Sequence, residues 1–102
     1  MIARLWHGWT KPERSDSYEL LLATKVLPTF EHLKGYQGAY LLRQDRDNET
    51  EFVTLTLFEN LEAIHRFAGD NCRAAVVPAE AKQLLARFDE RSEHYEIVLT
   101  PL

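Results

Sequence analysis

At 102 residues the chain has the size of one domain, which excludes a two-domain enzyme, and its 45% hydrophobic and 27% charged residues fit a globular protein rather than a disordered one. Twelve Lys and Arg against 16 Asp and Glu leave a formal charge of −4, which argues against a nucleic-acid partner. The single cysteine, Cys72, excludes an internal disulfide and a tetrathiolate zinc site.

No apolar run approaches the ~18 residues of a membrane span. The opening stretch Met1–Trp9 carries Arg4 and His7 inside its apolar run, unlike the core of a secretory signal. The expectation is a cytoplasmic protein with no membrane partner.

Ile2 to Trp9 reads as a strand closed by the segment Gly8–Pro12. Thr10-Lys11-Pro12-Glu13 has the pattern of a helix start, with Thr10 as N-cap, Pro in the first turn and Glu three residues on; Ser15 and Asp16 offer a later start. Tyr18, Leu21, Leu22, Val26, Phe30 and Leu33 recur every three to four residues and predict one long helical stripe. Pro28 cannot donate to the Thr24 carbonyl, so a kink or break is expected between Thr24 and Leu27, and Gly35 is a natural stop.

Tyr36–Gln44 and Phe52–Phe58 read as two strands of a hairpin joined by the polar segment Asp45–Thr50. Asn60 then caps a short helix with Leu61, Ile64 and Ala68 on one face and Phe67 at its flank. Val77, Ala81, Leu84, Leu85 and Phe88 predict a third helix, and the alternation of Glu93–Thr100 predicts the fourth strand.

The order β-α-β-β-α-(α)-β is the ferredoxin-like split βαβ plan, an α+β fold. It makes residues 1–102 a single domain with a four-stranded antiparallel sheet and its helices on one face. The aliphatic set Ala3, Leu5, Leu55 and Leu57 suits the helix-covered face, and His7 shares its parity with Ala3 and Leu5. The opposite face then carries Trp6, Tyr36, Tyr40, Phe52 and Phe58, too many aromatics for a solvated sheet, so a homodimer through that face is expected. Arg4, His94 and Glu96 fall at the same interface, with Glu96 expected to face Arg4 across the first and last strands.

The opening strand Ile2-Ala3-Arg4-Leu5-Trp6-His7-Gly8, the stretch Phe58-Glu59-Asn60-Leu61-Glu62-Ala63-Ile64 with Phe67, and the closing His94-Tyr95-Glu96-Ile97-Val98 resemble the antibiotic biosynthesis monooxygenase family of the dimeric α+β-barrel superfamily. The resemblance covers nearly the whole chain. It implies two sheets packed face to face as a barrel, and a pocket between sheet and helices. Some members oxidise small aromatic polyketides without metal or flavin, and some relatives degrade haem. The haem-degrading relatives use an Asn in the first strand, a Trp on the helix after the third strand and a His about ten residues further on. Here those positions fall near His7, at Phe67, and in Ala74–Val77, which contains no His. Haem degradation is therefore not expected.

His7 is the candidate catalytic residue, because a neutral imidazole facing a pocket could take a phenolic proton. Trp9, Tyr18 and Phe67 are candidate substrate-binding residues. His94 and Glu96 share a strand face but lack a third ligand, so no metal is expected, nor any other cofactor. Two functions stay open: cofactor-independent oxidation of a small aromatic or quinol compound, and a non-catalytic dimeric protein that binds a small apolar ligand or serves only as an interaction module.

Overall fold

Three long strands and the buried stripe of an interrupted helix set the architecture. The computed structural model describes residues 1–101. Strand β1 (Ile2–Thr10) lies at the centre, with β3 (Thr50–Phe58) antiparallel on one side and β2 (Tyr36–Asp45) beyond it. On its other side β1 pairs with both β4 (Leu85–Phe88) and β5 (Glu93–Glu96), one after the other along the same edge. The sheet is fully antiparallel, and the fold is α+β and ferredoxin-like.

The helical connection after β1 starts with a 3-10 turn at Pro12–Arg14 and continues as α1 (Ser15–Leu21). It changes to a π-helical segment at Leu22–Val26 and a 3-10 segment at Leu27–His32. Pro28 explains the interruption: with no N–H to give, it leaves a 13-atom helical ring unclosed, and the backbone rewinds around the gap. Helix α2 (Leu61–Ala68) is capped by Asn60, whose Oδ1 accepts from the Ala63 N–H at 3.0 Å. Helix α3 (Ala79–Leu84) is the last.

Three expectations need correction. Thr10 does not cap the first helix; it ends β1, and its hydroxyl joins a buried relay in which Ser15 Oγ lies 3.1 Å from Thr10 Oγ1 and donates to Thr50 Oγ1. That relay fixes the start of α1 against β1 and β3. Leu85 and Phe88 are not helical, because α3 stops at Leu84 and the chain extends into β4 to pair with β1. The sheet accordingly has five strands rather than four. Between Phe88↔Gly8 and Glu93↔Leu5 the edge carries two more residues than β1 does, so Asp89–Ser92 bulges away from the sheet. The bulge pairs instead with the segment before α3: Ala75 N donates to Glu90 O, and Ser92 N to Arg73 O.

The core fills the space between the sheet and the helices. Tyr18, Leu22, Val26 and Ala81 pack with Phe52, and Ala63 and Ile64 pack with Phe58. Among the described residues no helix is long and apolar enough to cross a membrane. One turn is sterically fixed. Gly35 has φ +88°, and a Cβ there would lie 2.5 Å from Ala63 Cβ on α2. Gly35→Ala is expected to cost about 2–3 kcal/mol from the combined backbone strain and clash. Thermal denaturation should show Tm lowered by roughly 10 °C or more; an unchanged Tm would contradict the packing of α2 on this turn.

Candidate functional site

The faces of the sheet are the reverse of the sequence expectation. Arg4, Trp6 and Gly8 of β1 lie opposite Thr56, Thr54 and Phe52 of β3, and this set faces the helices. Phe52 and Phe58 are completely buried there, within 4.7 Å (ring centres) of Tyr18 and 5.6 Å of Phe67 respectively. They are core residues, not interface residues. Trp6 is also on the helix side, its indole N–H donating to Asp89 O at 2.7 Å and its ring 5.9 Å from Phe88. Gly8 makes room for this arrangement, since a Cβ there would sit 2.9 Å from Leu85 Cδ2 and 3.1 Å from the Trp6 ring.

A cavity opens between this face and the helices. Trp6, Thr54 and Thr56 form its floor, Tyr18, Val26 and Phe30 one wall, and Phe67, Val77 and Ser92 the other, with Arg4 at its end. The enclosed space is about 50 Å³, and the unfilled space including the mouth to solvent is about 500 Å³. The enclosed part holds a few waters; a benzene ring takes a cavity of roughly 150 Å³. A planar ligand must therefore use the mouth or widen it. Tyr18 and Phe67 thus meet in one cavity, as the sequence suggested. Burial pushes the Tyr18 phenol above its ordinary pKa, so its hydroxyl remains a neutral donor.

Arg4 is the cavity-lining residue that alternation assigned to the wrong side of the sheet. Its side chain is only 3% exposed. Its guanidinium donates to the backbone carbonyl of Cys72 and, at 2.7 Å, to that of Ala74, and bonds His94 Nε2 at 2.9 Å. Its Cζ lies 5.4 Å from the Phe67 ring centre. His94, not Glu96, is its partner across the strands; Glu96 pairs with Ile2 and is exposed. Arginines 43, 46, 66 and 87 all reach carboxylates, but among the described residues Arg4 reaches none. Strand parity put Arg4 with Trp6 at the expected interface, and that side of β1 faces the helices instead.

His7 and Trp9 lie on the opposite, open face, so neither can touch a ligand in the helix-side cavity. Their parity with Ala3 and Leu5 was right, but that parity faces away from the helices. His7 Nδ1 donates to Glu51 Oε2 at 3.0 Å, and that bond holds the Glu51 carboxyl below its ordinary range against the opposing effect of burial, with Arg46 adding to the hold. His7 and Trp9 rings stack with centres 6.0 Å apart, and Arg87 lies 3.8 Å over Trp9. A wide hollow of about 630 Å³ runs beside His7, Leu5, Phe88 and Tyr95. The same open face carries Tyr40 and Leu42, both largely exposed, and the partly buried Leu5, Val53, Leu55 and Leu57. Of the expected interface set, Tyr40 alone lies on this face. Among the described residues no group of three His, Cys, Asp or Glu side chains is placed to hold a metal ion.

The antibiotic biosynthesis monooxygenase family model matches residues 1–76. No curated protein matches the chain. Among solved structures, the haem degrader MhuD of Mycobacterium tuberculosis, which holds two haems in its active site, superposes with TM-score 0.68 at 19% identity, covering 99% of each chain. A proposed antibiotic biosynthesis monooxygenase of Deinococcus radiodurans gives 0.67 at 14% identity over 100% of this chain and 97% of its own. One from Bacillus cereus gives 0.70 at 13% over 100% and 95%. At such identities the likeness carries the fold.

The Arg4–His94 contact makes stability depend on pH. Burial first, and the Arg4 charge second, lower the pKa of His94. The unfolded chain therefore binds a proton near the ordinary histidine value of about 6.5 while the folded chain does not, and stability falls as pH drops through that region. Replacing His94 with Gln keeps an acceptor for Arg4 but removes the titration. Tm plotted from pH 7.5 to 5.5 should decline less steeply for His94→Gln than for the wild type; parallel curves would contradict this assignment.

Proposed function

The chain belongs to the antibiotic biosynthesis monooxygenase family, and from that premise we propose that it takes a small aromatic or quinol compound into the helix-side cavity and oxidises it with O₂, without a bound cofactor. The observation that carries this reading is the convergence of Trp6, Tyr18, Phe30, Phe67 and the buried Arg4 on one cavity between sheet and helices. Aromatic walls suit a planar ligand, and a few fixed polar groups orient it. In such a reaction the substrate supplies the electrons. A ring-activated methylene becomes a carbonyl by taking one atom of O₂, and the other atom leaves as water with the two hydrogens.

Haem does not suit this cavity. Its described lining includes no histidine or cysteine to bind iron. His94 Nε2 is already engaged by Arg4.

The second reading is a non-catalytic binding protein that uses the same cavity. It is favoured by one observation: no histidine or carboxylate among the described lining residues is placed to remove a proton. Oxygen consumption over a panel of small phenols and hydroquinones separates the two. The enzyme reading expects uptake of one O₂ per product, one ¹⁸O label in the product, and no change on adding chelator or flavin. Uptake no faster than in buffer, for a compound that binds, would leave the binding reading and end the enzymatic one.

The homodimer belongs to this proposal, formed through the open face rather than the aromatic one. Tyr40, Leu42, Val53, Leu55 and Leu57 supply an apolar surface with no helix over it. Pairing two such faces buries the order of 1,600 Å² or more that a stable dimer needs. Sedimentation should give twice the chain mass for the wild type and the chain mass for Leu55→Arg, which lies outside the helix-side core. A wild-type monomer at micromolar concentration would overturn the assembly.

A further inference from the structure

The geometry points to the helix-side cavity as a site for an anionic aromatic ligand, a carboxylate or a phenolate, whose negative oxygen pairs with Arg4. This rests on the reading of that cavity as the ligand site and adds the charge of what enters it.

Among the described residues Arg4 lacks a counter-ion within the protein. A guanidinium removed from water loses several kcal/mol of solvation unless an opposite charge replaces it. Arg4 has been removed from water, yet everything it touches is neutral: two backbone carbonyls, the face of Phe67, and the ring of His94. His94 is kept neutral by the same burial and by Arg4 itself. The molecule does not lack carboxylates, since Arg43 alone collects those of Asp16, Glu19 and Asp45 at the surface. None is supplied to Arg4, the arginine that lines the helix-side cavity. Arg4 is also the only charged side chain among the described lining residues, so the cavity carries a net positive charge and no internal counter-ion.

A ligand that brings a single anionic oxygen restores the balance. The same pairing lowers the pKa of a bound phenol or enol, because it favours the charged form. That form gives up an electron to O₂ more readily than the neutral one does. Tyr18, held as a neutral phenol, adds a donor on the same cavity.

The test compares 2-naphthoate with its uncharged isostere 2-naphthamide by calorimetry at pH 7.5. The wild type is expected to bind the carboxylate at least about tenfold more tightly, the gain of a charge-assisted over a neutral contact. Arg4→Gln should bring the two affinities within about twofold of each other. Arg4→Lys, which keeps the charge but loses the planar fork, should retain part of the preference. Circular dichroism checks that each variant folds, and the wild-type comparison decides the matter if Arg4→Gln does not. Equal binding of amide and carboxylate by the wild type would overturn the anionic assignment while leaving the cavity as a ligand site. A carboxylate preference that survives in folded Arg4→Gln would place the anion elsewhere and also overturn it. Binding of neither compound at millimolar concentration would remove the cavity reading itself, and the inference with it.

Discussion

A buried guanidinium holds this fold together at the point where its pieces are least constrained. Arg4 sits on the central strand, but its partners are the carbonyls of Cys72 and Ala74 between α2 and α3, the Phe67 ring on α2, and His94 on β5. These segments have little regular structure to connect them. The stretch between α2 and α3 makes only an isolated bridge at Ala74 to Arg91, and β5 is four residues long. Remove the guanidinium and the two carbonyls lose their donor, which costs more than the net worth of ordinary hydrogen bonds. The cavity is bounded by the same segments, so its end wall and its charge come from one residue.

The sheet that carries Arg4 is apolar on both faces. On the helix side, Phe52 and Phe58 fill the core; on the open side, Leu55, Leu57 and Val53 lie beside Tyr40 with nothing over them. The distinction between the faces lies in shape. Bulky rings reach across to the helices, whereas aliphatic side chains leave a flatter surface suited to a second sheet. His7 with Glu51, and Trp9 with Arg87, give that open face a polar end.

Much of the fold was legible because order and spacing depend on local chemistry. The break at Pro28, the Asn60 cap, the hairpin strands and the element order all follow from backbone requirements that act over a few residues. The faces of the strands were not legible for a physical reason. Alternation separates two sets of side chains but does not say which set meets the helices when both are apolar. The aliphatic set Ala3, Leu5, Leu55 and Leu57 suits a helix-covered face, yet it is Arg4, Thr54 and Thr56, on the other parity, that are held in the core or line the cavity. The error carried His7 and Trp9 into the predicted pocket, Trp6 out of it, and Phe52 and Phe58 out of the core. Leu85 and Phe88 were misread for a related reason: a short apolar run fits a helix or a buried edge strand equally well.

The candidate site was thus half legible. Tyr18 and Phe67 could be placed because each faces the core in any version of the fold. The buried charge could not, since whether an arginine on a strand is solvated or enclosed depends on the segment at 72–74 that wraps it. That enclosure and the cavity beside it are tested most directly by a crystal structure of the protein grown with 2-naphthoate. Ring density is expected between Trp6, Phe30 and Phe67, with the carboxylate in contact with Arg4. Density confined to the open face beside His7, with the helix-side cavity unchanged, would contradict it.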